Sequence, residues 1–294
     1  MPVPPRIPEL QEAVNRALRG QFRVKPEGRI NRAMSLAMSA PGKRLRPVAT
    51  LLAGETLGAS RSRLLPFAMA VEIVHTASLL LDDLPCMDDA ELRRGQPALH
   101  HQIGEADTLL TAFALQARAF QLCASVPEMG RGERQLPVRL VQLLERAVGA
   151  EGMCEGQSLD LAFEPDEKLG IEALEGIHRR KTGALFAAAL QGGGRLAGAH
   201  EEELAALFLF GKNLGLAFQV ADDLLDHRGD PKKMGKASGA DRGRRLTFVS
   251  LFGEAASEAA LRDLHKAACD ALAPLGKRAK ALLEFADFLE KRDA

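Results

Sequence analysis

A chain of 294 residues with 46% hydrophobic and 27% charged residues has the composition of a globular protein with a sizeable core. Its 39 basic and 39 acidic residues cancel, so no global field draws it to nucleic acid or to a membrane surface, and anion binding must come from local clusters. Ala and Leu dominate, Trp and Tyr are absent and β-branched residues are sparse, which favours helix over sheet.

The chain begins Met1-Pro2-Val3-Pro4-Pro5-Arg6, without the apolar run of a secretory signal. Residues 9–19 and 29–39 have helical spacing. Pro41-Gly42-Lys43-Arg44-Leu45-Arg46-Pro47 is a turn with three cations in four residues, and Leu45 among them predicts that one side is packed. Residues 48–57 and 64–81 read as buried helices, with Pro66 in the first turn of the second. The stretch 67–81 carries Glu72 and His75 and is too short for stable membrane insertion. Residues 107–124, 135–148, 172–189 and 201–225 continue the helical pattern, and the last helices are expected over 254–272 and 277–291. Breaks are expected at Gly130-Arg131-Gly132, Phe163-Glu164-Pro165 and Gly192-Gly193-Gly194. No segment alternates with period two and no long linker interrupts the chain, so residues 1–294 read as one all-α domain. Cys86, Cys123, Cys154 and Cys269 form no CxxC pair and are expected as reduced thiols. A soluble, cytoplasmic protein is the expectation.

Two of these helices end in aspartates. Leu79-Leu80-Leu81-Asp82-Asp83-Leu84-Pro85-Cys86-Met87-Asp88-Asp89 is echoed by Phe218-Gln219-Val220-Ala221-Asp222-Asp223-Leu224-Leu225-Asp226. The C-terminal end of a helix disfavours carboxylates, and carboxylates beside an apolar wall are costly unless something positive meets them. Asp222 and Asp226 lie on one helix face, about 40° apart, where they can share a Mg²⁺ that keeps its remaining positions for water and phosphate oxygens. Asp82 and Asp89 align on an ideal helix and Asp82 and Asp88 do not, but Pro85 forbids an ideal helix here, so spacing leaves both partners open. Met69, Met87 and Cys86 read as packing.

Cations stand in separate clusters: Lys43, Arg44 and Arg46; Arg93 and Arg94; Arg179, Arg180 and Lys181; Lys232, Lys233 and Lys236. Arg suits bidentate phosphate binding and Lys supplies point charge. Two carboxylate clusters and several cationic ones on apolar helices imply a diphosphate substrate with a hydrocarbon body.

At this point the sequence resembles the short-chain trans-isoprenyl diphosphate synthases over nearly its whole length. The resemblance rests on Gly42-Lys43-Arg44-Leu45-Arg46-Pro47, the DDxxxxD motif from Asp82 with Leu92-Arg93-Arg94-Gly95-Gln96-Pro97, Gly152-Met153-Cys154-Glu155-Gly156-Gln157-Ser158-Leu159-Asp160, Lys181-Thr182-Gly183, and the run from Phe218 to Asp226, in that order. It implies a helical bundle of isoprenoid synthase type around a deep central cavity, a homodimer, and a Mg²⁺-dependent prenyltransferase that joins isopentenyl diphosphate to an allylic diphosphate. By the resemblance Asp82, Asp88 and Asp222 hold Mg²⁺, with Asp226 as a further ligand and Asp83 in support. Arg93, Lys181, Thr182, Gln219 and Lys236 would contact the allylic diphosphate; Lys43, Arg46, His75 and Arg94 would hold isopentenyl diphosphate. Between Asp88 and Asp89 the family selects Asp88.

Two departures stand out. Where the family usually has Gly-Lys-x-Thr after the second motif, this chain has Asp241-Arg242-Gly243-Arg244-Arg245-Leu246-Thr247, with Arg244 in place of the lysine. The Gly-Asp common in farnesyl-making relatives near Ala112-Phe113 is missing. Product length in the family follows the residues below the first motif, here Ala77 and Ser78. A small residue at Ala77 leaves room for a C20 chain, with C15 as the alternative and Phe113 as a candidate floor. A class I terpene cyclase would carry a different second metal motif, and a non-catalytic regulatory subunit would have lost aspartates; both motifs are whole.

Overall fold

The computed structural model describes residues 4–22, 27–127, 135–162, 170–229 and 247–290. α1 (Arg6–Phe22) buries Ile7, Leu10, Val14 and Leu18, and α2 (Arg29–Ser39) buries Ala33, Met34, Ala37 and Met38. Both sets recur every three or four residues, so each helix covers the core with a single stripe. α3 (Leu45–Thr56), α4 (Arg61–Asp82), α10 (Ala184–Leu196) and α11 (Glu201–Arg228) are buried around much of their circumference, as central helices must be. Around them stand α5 (Leu99–Ile103), α6 (Glu105–Ala124), α7 (Leu136–Val148), α8 (Met153–Ala162), α9 (Ile171–His178), α12 (Phe248–Phe252), α13 (Glu254–Ala271) and α14 (Lys280–Glu290). One apolar cluster joins residues from Ile7 to Leu289, and a smaller one gathers Leu174, Leu216, Val220, Leu224 and Phe248 where α9, α11 and α12 meet.

Glycines let the central helices approach. Gly192, Gly193 and Gly194, expected as a break, lie inside α10 and are buried. A Cβ on Gly192 would stand 1.9 Å from the Phe67 ring, one on Gly193 2.3 Å from the Thr50 carbonyl oxygen, and one on Gly194 2.6 Å from Leu207. Each glycine costs roughly 1 kcal/mol of helix propensity against Ala, and close packing on three sides outweighs that local preference.

The same contacts set directions. Arg44 meets Glu72 and Gly54 meets Leu64, so α3 and α4 are antiparallel. Arg46 lies over Phe186 and Gly193 meets Thr50, so α3 and α10 are parallel. Gly211 meets Ala187 and Gly215 meets Gly183, so α10 and α11 are antiparallel. It follows that α4 and α11 run the same way and bring their terminal aspartates to the same end of the bundle.

Several expectations change. Residues 172–189 are α9, a π-turn (Arg179–Gly183) and the start of α10. Pro66 lies inside α4, which begins five residues before it. The last helix starts only at Lys280, after a 3₁₀ segment (Ala273–Ala279) broken at Gly276, whose φ is 54°. A two-strand hairpin, β1 (Leu92–Arg93) with β2 (Gln96–Pro97), follows the first motif and turns through Arg94 (φ 54°) and Gly95 (φ 75°). α4 and α11 are long and apolar enough to cross a bilayer, α4 included despite the expectation from 67–81, and 67% and 61% of their most apolar windows are buried within the fold. Met69 is buried; Met87 is half-buried and Cys86 exposed, so neither of these two packs in the core. The expected breaks at 130–132 and 163–165 lie outside the described residues.

Candidate active site

α4 stops at Asp82, and the chain then turns back on itself. Leu84 N–H donates to Leu81 O (3.1 Å), Asp89 N–H to Leu84 O (3.1 Å), and Asp88 N–H to Asp82 O (2.9 Å). The distortion expected at Pro85 is thus a full helix end, and it folds the Asp88 backbone onto that of Asp82. Asp89 takes the left-handed conformation (φ 49°) and is exposed. Asp83 turns inward. It is buried and its Oδ1 accepts from Arg93 Nε (2.7 Å) and from Arg93 Nη2. Its Oδ2 is buried without a hydrogen-bond partner among the described residues. Asp83 is therefore a positioning residue, holding Arg93 through the β1–β2 hairpin.

The second motif repeats the division. Asp222 is half-buried and Asp226 exposed, while Asp223 points inward and accepts from Phe248 N–H (2.9 Å) and Gln219 Nε2 (3.0 Å). Burial pushes the Asp223 carboxyl up to about 6, against the two hydrogen bonds and with help from the charges of Asp222 and Asp226. Gln219 Oε1 in turn accepts from Thr182 Oγ1 (3.3 Å). Thr182 and Lys181 sit in the π-turn, a helix defect that often marks functional sites, and Lys181 Nζ donates to Asp160 Oδ2 on α8 (2.5 Å). Gly156 makes this approach possible, since a Cβ there would lie 2.4 Å from the Lys181 nitrogen.

The basic turn before α3 is built on a buried ion pair. Arg44 has φ 49°, is buried, and reaches Glu72 Oε1 on α4 (2.5 Å), Asn15 Oδ1 (3.0 Å) and Ala40 O (2.8 Å). Leu45 is buried beside it, as its place among the cations predicts. The Arg44–Glu72 pair lines a cavity of about 540 Å³ together with Lys43, Arg46, His75, Arg94 and Phe218. Gly42 lets Arg94 pack close, since a Cβ there would meet Arg94 Nη1 at 2.8 Å. Arg46 stacks on Phe186 (4.7 Å) and donates to His75 Nε2 (3.3 Å). A guanidinium only donates, so Nε2 is the acceptor and the ring proton sits on Nδ1. Burial, then the guanidiniums of Arg46, Arg94, Arg44 and Arg93, hold the His75 pKa well below its usual value.

These parts form a closed ring. Phe218 of α11 lines the cavity with His75 of α4, Gln219 beside it binds the π-turn, and the π-turn binds α8. α8 returns to the first motif, because the Cys154 thiol at its start, raised first by burial, is raised further by the charge of Asp82. The structure thus gathers Lys43, Arg46, His75 and Arg94 in one cavity, and Lys181, Thr182 and Gln219 in one network. Lys232, Lys233, Lys236 and Arg244 lie outside the described residues. Glu72, Asp160 and the inward role of Asp223 went unrecognised in the sequence; the available signal was Glu72 itself, a lone carboxylate in an apolar helix, which demands a buried partner. Ala77 is buried on α4, and Ser78 is half-buried with its hydroxyl donating to the His75 carbonyl (3.0 Å). Phe113 is 76% exposed, so it floors no cavity within this chain.

The sequence pattern of the polyprenyl synthetase family matches residues 27–273. The chain is 36% identical to a chloroplastic geranylgeranyl pyrophosphate synthase of Catharanthus roseus, over 96% of this chain and 79% of the relative. It is 38% identical to a farnesyl diphosphate synthase of Haemophilus influenzae, over 95% of this chain and 96% of the relative. Its fold is similar to that of a geranyltransferase from Helicobacter pylori crystallised with magnesium and isoprenyl diphosphate, with a TM-score of 0.81, 29% identity and coverage of 97% and 96% of the two chains. With the family pattern over most of its length and relatives of this identity and coverage, the chain belongs to the polyprenyl synthetase family and is a short-chain prenyltransferase.

Proposed function

We propose that this enzyme condenses isopentenyl diphosphate with dimethylallyl, geranyl or farnesyl diphosphate in a Mg²⁺-dependent reaction, and that its main product is geranylgeranyl diphosphate. The observation that carries the reading is the cavity of about 540 Å³ shared by Lys43, Arg46, Arg94 and His75, at the end of the bundle to which both aspartate motifs run. With Arg44 offset by Glu72, the cations of Lys43, Arg46 and Arg94 leave the cavity a net positive lining that suits a polyanion, and Phe218 supplies an apolar wall beside them.

The metal donors would be Asp82, Asp88, Asp222 and Asp226. Their all-carboxylate oxygen chemistry fits a hard divalent cation, and the backbone bond from Asp88 to Asp82 supports choosing Asp88 over Asp89. These carboxylates would hold Mg²⁺, whose charge would offset that developing on the leaving diphosphate. Arg93, aimed by Asp83, adds a guanidinium for the allylic diphosphate, with Lys181, Thr182, Gln219 and Lys236 as its companions. Lys43, Arg46, Arg94 and His75 hold isopentenyl diphosphate so that its double bond attacks the allylic carbon as the carbon–oxygen bond breaks. The condensed product loses one proton, which passes to the departing diphosphate, because His75 in its cationic setting is a poor base. The apolar surroundings keep water from the allylic cation.

The small Ala77 supports the C20 product, and Phe113, exposed as it is, offers no internal floor to shorten it. Farnesyl diphosphate is the alternative. Exposed Leu109, Leu110 and Phe113 form an apolar stripe on α6, which supports a homodimer. The apolar core shared from Ile7 to Leu289 supports a single domain.

The test is to supply the purified chain with Mg²⁺, isopentenyl diphosphate and each allylic diphosphate and to size the products. A C20 product from the natural chain is expected, shifting to C15 or shorter in Ala77→Tyr. An unchanged distribution in that variant would overturn the floor assignment.

A further inference from the structure

α8 carries one more polar group beside the residues already placed at the site. Gln157 is half-buried as a residue, yet both ends of its side-chain amide, Oε1 and Nε2, are shut off from solvent and have no hydrogen-bond partner among the described residues. A buried donor or acceptor left unmade costs about 1–3 kcal/mol. Folding alone gives no return for that cost.

Helix geometry sets Gln157 between two neighbours that border the site. Asp160, three residues on and about 60° round the helix, accepts from Lys181 Nζ (2.5 Å). Cys154, three residues back and about 60° round the other way, has a thiol that responds to the charge of Asp82. Gly156, on the same side as Asp160, packs on the Lys181 backbone nitrogen, which a Cβ there would meet at 2.4 Å. The Gln157 side chain therefore leaves α8 between the stripe that meets the π-turn and the stripe that senses the end of α4. Those are the two walls between which an allylic diphosphate would lie.

We infer that Gln157 contacts the allylic substrate, its Nε2 donating to a diphosphate oxygen, so that the substrate supplies the partner the folded chain lacks. This contact rests on the prenyltransferase reading and adds a residue to it. An ionised phosphate oxygen only accepts, so Nε2 is the end of the amide that can bond to it. A donor held ready with no protein partner and no water to displace binds an anion without reorganising first.

A structural amide and a substrate-binding amide respond to removal in opposite ways. Gln157→Met, of similar length, deletes the orphaned atoms, so the urea midpoint of the unliganded chain should rise. The same variant should raise KM for the allylic diphosphate about tenfold or more and leave KM for isopentenyl diphosphate unchanged. Binding is read without turnover by calorimetric titration of a geranyl thiodiphosphate, in which sulfur replaces the bridging oxygen, with Mg²⁺ present; its Kd should rise by the same factor. Gln157→Glu keeps the shape and sets a carboxylate against the anion, so its Kd should rise further with circular dichroism unaffected. A lower urea midpoint in Gln157→Met with an unchanged Kd makes the amide a structural group served by a buried water and overturns the contact. An unchanged Kd in Gln157→Glu, or a KM that rises equally for both substrates, overturns it as well. If the natural chain neither binds the analogue nor turns over any allylic diphosphate, the prenyltransferase reading fails and the contact fails with it.

Discussion

The two aspartate motifs begin as the same dipeptide at the end of an apolar helix and are finished differently. In each, the first aspartate stays near solvent and the second turns into the protein. Asp83 is met by the Arg93 guanidinium, whereas Asp223 is met by neutral donors, the Phe248 amide and the Gln219 side chain. Burial pushes the Asp223 carboxyl up to about 6, against these two neutral donors. The first inward aspartate thus fixes Arg93 of the β1–β2 hairpin. The second ties α11 to α12, and through Gln219 to the π-turn. A repeated motif need not mean a repeated duty for each member.

The sharpest way to break this comparison is at the outward positions, which should behave alike. Asp82→Ala and Asp222→Ala should each lower turnover by roughly a hundred- to a thousandfold, with circular dichroism and melting unaffected; near-normal steady-state turnover in either would remove that residue from the metal set. The inward positions should then diverge. Arg93→Met strands Asp83 as a buried charge, and it should cost about 2–4 kcal/mol in urea unfolding beyond any loss of activity.

The second clasp should differ in its response to acid. His178 is buried against Phe248, with ring centroids 5.6 Å apart. Burial holds its pKa down at about 4, with Lys181 lowering it further and Asp160 opposing. Because the unfolded chain binds that proton near 6.5, stability is lost as pH falls from about 6.5 through about 4, by on the order of 3 kcal/mol. In His178→Phe, urea midpoints measured across this range should show that part of the loss removed. The smallest effect is expected for Asp223→Asn. An amide can still accept from Phe248, so the cost should stay near 1 kcal/mol at neutral pH, and a loss equal to that of Arg93→Met would erase the distinction between the two clasps.

Much of the helical pattern and most of the candidate site are readable without coordinates. Apolar residues at helical spacing mark the stripes of α1 and α2 and the buried length of α4, because such periodicity is a local property of the chain. The pairing of Asp222 with Asp226 follows from helix geometry for the same reason, and the cationic clusters announce a polyanion by type alone. Tertiary structure decided what depends on neighbours distant in sequence. Gly192, Gly193 and Gly194 continue a helix because Phe67, Thr50 and Leu207 leave no room for a side chain. Arg44 lines the cavity with Lys43 and Arg46 but is paired with Glu72 inside the protein, so of three neighbouring cations one is already neutralised. The Asp88 amide returns to the Asp82 carbonyl because α4 ends there and the following turns bond back to it. The residue types and their order carried the chemistry; the packing of α3, α4, α10 and α11 decided which of those groups face the cavity and which are spent holding it together.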